Sequence, residues 1–135
     1  MGEHQDAFST QKEFVMANQI LDLAEHVYSI IQPHSKGTVS YSDVCNRLTG
    51  QWVNLPPDSP LLAAALGLIV DRCHDVELPA LSAVVVHKTG DKMPGNGYFI
   101  AAHPGIDDPL VRVVEWGKEL ALVHKAKYPA KFADL

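Results

Sequence analysis

Apolar residues recur along this chain with changing rhythm, and the changes divide it into elements. Phe14, Ala17, Ile20, Leu21, Ala24, Val27, Tyr28 and Ile31 keep helical spacing. They predict a long first helix with a Ser9 or Thr10 cap and Glu13 at about capping-box distance. It should end near Gln32, because Pro33 disfavours helical geometry in the residue before it. A short β-type run, Thr38 to Tyr41, leads into SDVCNRL. That segment predicts a short helix with N-cap chemistry at Ser42 or Asp43 and apolar positions Val44, Cys45 and Leu48. QWVNLPPDS contains Pro56 and Pro57 and is no helix interior. Asp58 or Ser59 then caps an almost wholly apolar helix from Leu61 to about His74, with Pro60 in its first turn.

Beyond Leu78 the pattern turns extended. Ala83 to Val86 is β-branched. Turn signals follow at Lys88 to Asp91 and at Pro94 to Gly97, and Tyr98 to Ala102 reads as a return strand. Residues 82–102 are thus expected to form a hairpin with a long tip, in which Gly95 and Gly97 take positive φ. Asp107 or Asp108 should cap a last helix, with Leu110, Val113, Val114, Leu120, Ala121 and Val123 as its apolar side, ending before Pro129. The order strand, helix, helix, strand, tip, strand over about 37–102 outlines a winged helix-turn-helix. The expectation is a single α+β domain, residues 1–135, with a winged helix-turn-helix-like core and added N-terminal and C-terminal helices. Residues 1–9 are polar and expected to be disordered.

Composition narrows the function. The formal charge of −5 argues against a strong nonspecific nucleic-acid binder, which needs a basic face to displace counterions. Charge can still be segregated: Lys88 and Lys92 flank the tip, and Lys118, Lys125, Lys127 and Lys131 gather near the C-terminus, while Glu3, Asp6, Glu13, Asp22 and Glu25 lie in the first 25 residues. No apolar run approaches the roughly 18–20 residues that span a bilayer, and no basic-then-apolar leader opens the chain, so a cytoplasmic protein is expected. Cys45 and Cys73 read as small buried hydrophobes. Seven histidines invite a metal, but no HExxH or paired CxxC occurs. Cys73 and His74 are adjacent, and on a helix they point about 100° apart. No metal, cofactor or catalytic group is therefore expected. Asp71 and Asp75 form a solvated i,i+4 pair. PGNG lacks the end of a phosphate loop and does not open a helix in this reading.

Val39-Ser40-Tyr41-Ser42-Asp43-Val44-Cys45, the Leu78-to-Val85 strand and Gly95-Asn96-Gly97-Tyr98 together resemble parts of the C-terminal winged-helix domain of the DNA alkylguanine alkyltransferases and alkyltransferase-like proteins. The likeness covers about residues 37–100. It implies DNA binding, with Tyr41 at the position of a tyrosine that assists nucleotide rotation. The family's reactive cysteine, its activating histidine and its arginine correspond to Ala80, Leu81 and Ser82. Without a thiolate and its base there is no alkyl acceptor, which excludes the transferase reaction. Nor does the start of helix 59–74 carry the family's Arg finger.

Three readings follow. The first is a non-catalytic winged-helix DNA-binding or regulatory protein. Its helix 59–74 and 88–97 wing would contact DNA through Tyr41, Arg47, Arg72, Lys88, Lys92 and Asn96. The second is a small acidic protein-interaction module, an adaptor or an inhibitor of a nucleic-acid enzyme, with Trp52 and Trp116 as anchors. The third is an enzyme with an unrecognised site. Convergence of Lys88, Lys92, Arg72 and Arg47 on one face would favour nucleic acid. An acidic or apolar face there would favour a protein.

Overall fold

A computed structural model describes the chain from Gly2 onward, with side chains from Gln11. The first helix, α1, spans Gly2–Ile31. It runs through Ser9 and Thr10, so neither residue begins it; the side chains of the expected frayed segment lie outside the described residues. At 1.5 Å per residue α1 is about 45 Å long. Only its last third is anchored: Leu23, Ala24, Val27, Tyr28 and Ile31 are fully buried, whereas residues 11–19 are all exposed. A single 3-10 turn, Gln32–His34, carries the Pro33 break.

The strand β1 is two residues long, Val39–Ser40, and α2 covers Tyr41–Asn46. Its cap is Ser40, earlier than the expected Ser42 or Asp43: the Ser40 hydroxyl accepts the Asp43 N–H at 3.0 Å. The Ser-x-x-Asp spacing sets this choice. It moves Tyr41 from the end of a strand to the first residue of a helix. After Trp52 and the proline loop, Ser59 caps α3, Pro60–Asp75, accepting the Leu61 N–H at 3.2 Å. The buried stripe of α3 is Leu62, Ala65, Leu66, Ile69, Val70 and Cys73, at helical spacing. The helix stops where Glu77 turns left-handed (φ 60) and the Leu78 N–H returns to the Cys73 carbonyl at 2.8 Å.

The hairpin expected over 82–102 is replaced by different elements. Leu81–Val84 is a 3-10 turn, β2 is Val85–Val86, and Asn96–Ala102 is a helix, α4. β2 pairs with β1 in parallel, Val39 opposite Val85 and Ser40 opposite Val86. The burial explains the difference. Ala83, Val84 and Val85 are all at 0% exposure, as in a parallel strand covered on both faces, whereas a hairpin with one wet face would alternate. Parallel partners need a crossover, which α2 and α3 supply. The supposed return strand coils instead against α3: a Cβ on Gly97 would stand 3.7 Å from the Ala63 Cβ, and one on Gly67 4.0 Å from that of Ala101. The result is a mostly helical α+β domain with a two-stranded parallel sheet.

The last helix, α5, spans Pro109–Lys125, and the Asp108 carboxylate caps it by accepting the Leu110 N–H at 2.8 Å and the Val111 N–H at 3.2 Å. Its packed face is only in part the expected one: Leu120 and Val123 pack inward as expected. Arg112, Trp116 and Glu119 turn inward with them, while Leu110, Val113 and Val114 are exposed. The C-terminal tail then straps α1 and the end of α3. Tyr28 Oη donates to the Pro129 carbonyl at 2.6 Å, Tyr128 Oη donates to that of Pro79 at 2.7 Å, and Phe132 packs edge-on against Tyr28. Among the described residues no helix is long and apolar enough to cross a membrane.

Candidate nucleic-acid interface

In the parallel sheet, the residue after β1 is Tyr41 and the residue after β2 is His87. The carboxyl ends of parallel strands are where open α/β sheets place ligands. Here the two side chains meet, with ring centroids 5.0 Å apart and planes tilted by 38°. They open onto a cleft of about 230 Å³. Its other walls are Pro57 and the exposed carboxylate Asp58 before α3, the start of α3 with Ser59, Leu62, Ala63 and Leu66, and the start of α4, from Gly95 to Tyr98; Ser82 also contributes. The volume is below the roughly 300–1,000 Å³ of pockets for drug-sized ligands, so the cleft suits one small flat group.

The polar groups of the cleft are held in definite roles. Tyr41 Oη accepts the Gly95 N–H at 2.7 Å, which leaves its own proton as a donor. Burial raises the Tyr41 pKa, opposed in part by the Gly95 hydrogen bond, so the phenol is neutral. Ser82 Oγ donates to the Leu66 carbonyl at 2.9 Å and so presents lone pairs. Tyr98 Oη lies 3.0 Å from His103 Nε2. Burial lowers the His103 pKa, against the raising influence of Glu119 and Glu115, and burial of Tyr98 pushes its own pKa up; a Tyr98 hydroxyl donating to a neutral imidazole fits both shifts.

The loop closing the cleft folds on itself: the His87 N–H donates to the Met93 carbonyl at 2.9 Å, and the Met93 N–H to Asp91 Oδ1 at 3.1 Å. Its left-handed residues are Gly90 (φ 75) and Lys92 (φ 54), not Gly95 and Gly97. Gly95 is needed for closeness: a Cβ there would stand 3.3 Å from Tyr41 Oη and 3.5 Å from His87 Nε2. Arg112 of α5 fixes the far side, with Nη1 donating to Asn96 Oδ1 at 2.8 Å and Nε to the Ile106 carbonyl at 2.7 Å. Its guanidinium lies 5.0 Å over the Phe99 ring.

Of the residues expected to contact nucleic acid, Tyr41 and Asn96 line the cleft, and Lys88 and Lys92 are exposed in its loop. The two arginines are not brought there. Arg72 lies ten residues beyond Leu62, about 15 Å along α3, with its guanidinium 5.2 Å over Phe132. Arg47 sits at the C-terminal cap of α2, 2.7 Å from His34 Nε2. The four cations therefore do not converge. The exposed residues of α3 include Ala63, Ala64, Asp71 and Asp75, with no lysine or arginine among them. The tryptophans are structural: Trp52 is 6% exposed and donates Nε1–H to Asp22 at 2.8 Å, and the half-buried Trp116 donates to the Ala83 carbonyl at 2.9 Å. Neither is an exposed anchor. Ala80 and Leu81, at the positions of the resembled cysteine and histidine, are fully buried.

His87, Ser82, Ser59 and Tyr98 line the cleft but are not among the contact residues expected from the sequence. A signal existed for His87, a polar residue directly after the apolar run Val84–Val86, but the hairpin assignment hid it. Among the described residues no three His, Cys, Asp or Glu side chains gather to hold a metal. Comparison with known protein families, curated proteins and solved structures returned no match.

Proposed function

We propose that the protein is a non-catalytic nucleic-acid-binding module, which engages DNA at the mouth of the Tyr41–His87 cleft. One observation carries this reading: the first turn of α3 and the two ends of the 87–95 loop, His87 and Gly95, share a single cleft with Tyr41. Lys88 and Lys92 stand exposed at the loop, placed to meet phosphates. The contact is made by the first turn of α3, because the exposed residues farther along the helix, Asp71, His74 and Asp75, include two carboxylates that repel phosphate. The cleft, with a wall of two tilted rings, Tyr41 and His87, and one phenolic donor, accepts a single unstacked base.

The test is fluorescence anisotropy of labelled single-stranded and duplex DNA across a salt series. Lys88→Glu with Lys92→Glu should weaken binding and flatten the salt dependence. Wild-type protein that binds neither DNA at low salt contradicts the reading.

A second reading, a protein-interaction module, is favoured by exposed apolar side chains. Phe14 is 67% exposed, Val15 54%, Met16 47% and Leu110 78%. The turn Phe14–Ala17 is apolar all round, which is the composition of a buried helix. Absence of DNA binding, with retained fold, would turn the account to this surface.

A further inference from the structure

The fold joins two stretches of chain that contain no acidic residue. None stands between Glu25 and Asp43, and none between Glu119 and Asp134, although the chain has 16. The first stretch carries His26, His34 and Lys36; the second carries His124, Lys125, Lys127 and Lys131. Four hydrogen bonds tie them together. Tyr28 Oη donates to the Pro129 carbonyl at 2.6 Å and Gln32 Nε2 to that of Tyr128 at 3.2 Å. Lys36 Nζ donates to the His124 carbonyl at 3.0 Å, and His124 Nε2–H to that of Gly37 at 3.1 Å. Arg47 joins the same face by donating to His34 Nε2 at 2.7 Å.

Lys36, Arg47, Lys125 and Lys127 are all exposed. Part of this charge has a structural use, since Lys36 and Lys125 stand at the negative end of the α5 dipole. One bond to a carbonyl still leaves Lys36 two donors, and among the described residues no ion pair engages Lys125 or Lys127. Glu25 borders the groove beside Arg47, and Asp43 lies in the first turn of α2, so the basic centre is Lys36, Lys125 and Lys127. In a chain of net charge −5, such a concentration is a segregated positive field, and its complement is a polyanion.

We propose that this face is a second phosphate-binding surface, on which the backbone of a nucleic acid continues from the cleft. The inference rests on the nucleic-acid reading above and extends it to a separate set of residues. The link is α2, with Tyr41 at its start in the cleft and Arg47 at its end on the basic face. They are about 9 Å apart along the helix axis, within the reach of a few nucleotides. A strand lying along α2 touches both.

The experiment compares salt dependences of DNA binding for three proteins: wild type, Lys125→Glu/Lys127→Glu, and Lys88→Glu/Lys92→Glu. Neither lysine of the first pair makes a side-chain bond that holds the fold, so that variant should keep its circular dichroism, with Tm lowered only by the reversed charge at the end of α5. The expected result is a salt slope reduced by about one per lysine removed in each double variant. A slope unchanged in Lys125→Glu/Lys127→Glu, but reduced in Lys88→Glu/Lys92→Glu, overturns this inference and leaves the proposed function standing. No DNA binding by any of the three overturns both. Tighter binding of poly-glutamate than of DNA, lost in Lys125→Glu/Lys127→Glu, also overturns it by making an acidic protein the partner.

Discussion

Tyr41 shows how much hangs on one residue. It is the first residue of α2, and its hydroxyl pins Gly95 while its ring walls the cleft. Tyr41→Phe removes the hydrogen bond and keeps the ring, so it should cost about 1 kcal/mol of stability. It should also release the Gly95 amide to faster hydrogen exchange, measurable by NMR. Cys45 and Cys73 are both buried and unpaired, and burial pushes the Cys73 thiol up to about 11. Native protein at pH 8 should therefore react with a thiol reagent only at its unfolding rate; rapid labelling would contradict the packing described. His103 has its pKa lowered below 6.5 by burial, so the folded state favours the neutral ring. Its contribution to stability is complete above about pH 6.5 and is lost as pH falls through that value toward the folded pKa. Tm should decline over that interval in the wild type and decline less in His103→Gln.

At the scale of elements, the legible parts of the sequence were those with local chemistry. Ser59 with Pro60, and Asp108 with Pro109, mark helix starts that need no tertiary knowledge. The illegible parts depended on what covers them. Ala83 to Val86 has the composition of any strand, and only burial on both faces makes it parallel. Tyr98 to Ala102 has an aromatic start that suits a strand, yet packing against Ala63 and Gly67 of α3 makes it a helix. A hairpin hides the cleft, because it would carry Gly95 out in the tip, away from Tyr41. On α5 the apolar pattern points Leu110, Val113 and Val114 inward, whereas the half-buried residues include Arg112, Trp116 and Glu119. The cap of α2 offers a direct check of element and site together. Ser40→Ala should cost about 1 kcal/mol and weaken DNA binding through a displaced Tyr41. Ser40→Thr should restore both, as read by Tm and anisotropy.

Over the whole molecule, charge and apolar surface are distributed unevenly. The basic face of Lys36, Lys125 and Lys127 lies on one part of the surface, and the exposed apolar turn Phe14–Ala17 on α1, bordering a groove against α3. Net charge alone, read from the sequence, could not reveal this, because residues 26–42 and 120–133 are distant in sequence and meet only where the end of α5 and the tail pack against α1 and the turn after it. The same separation explains why the four cations proposed as one contact set are divided between the cleft loop, the end of α2 and the end of α3. The most direct measurement is an NMR titration of isotope-labelled protein with a short single-stranded oligonucleotide. The account predicts amide shifts centred on Lys88 to Lys92 and Gly95, with the Tyr41 and His87 ring signals moving at the same concentration. Shifts confined to Phe14–Ala17 of α1 and to Leu110–Val114 of α5, or no shifts at all, would contradict it.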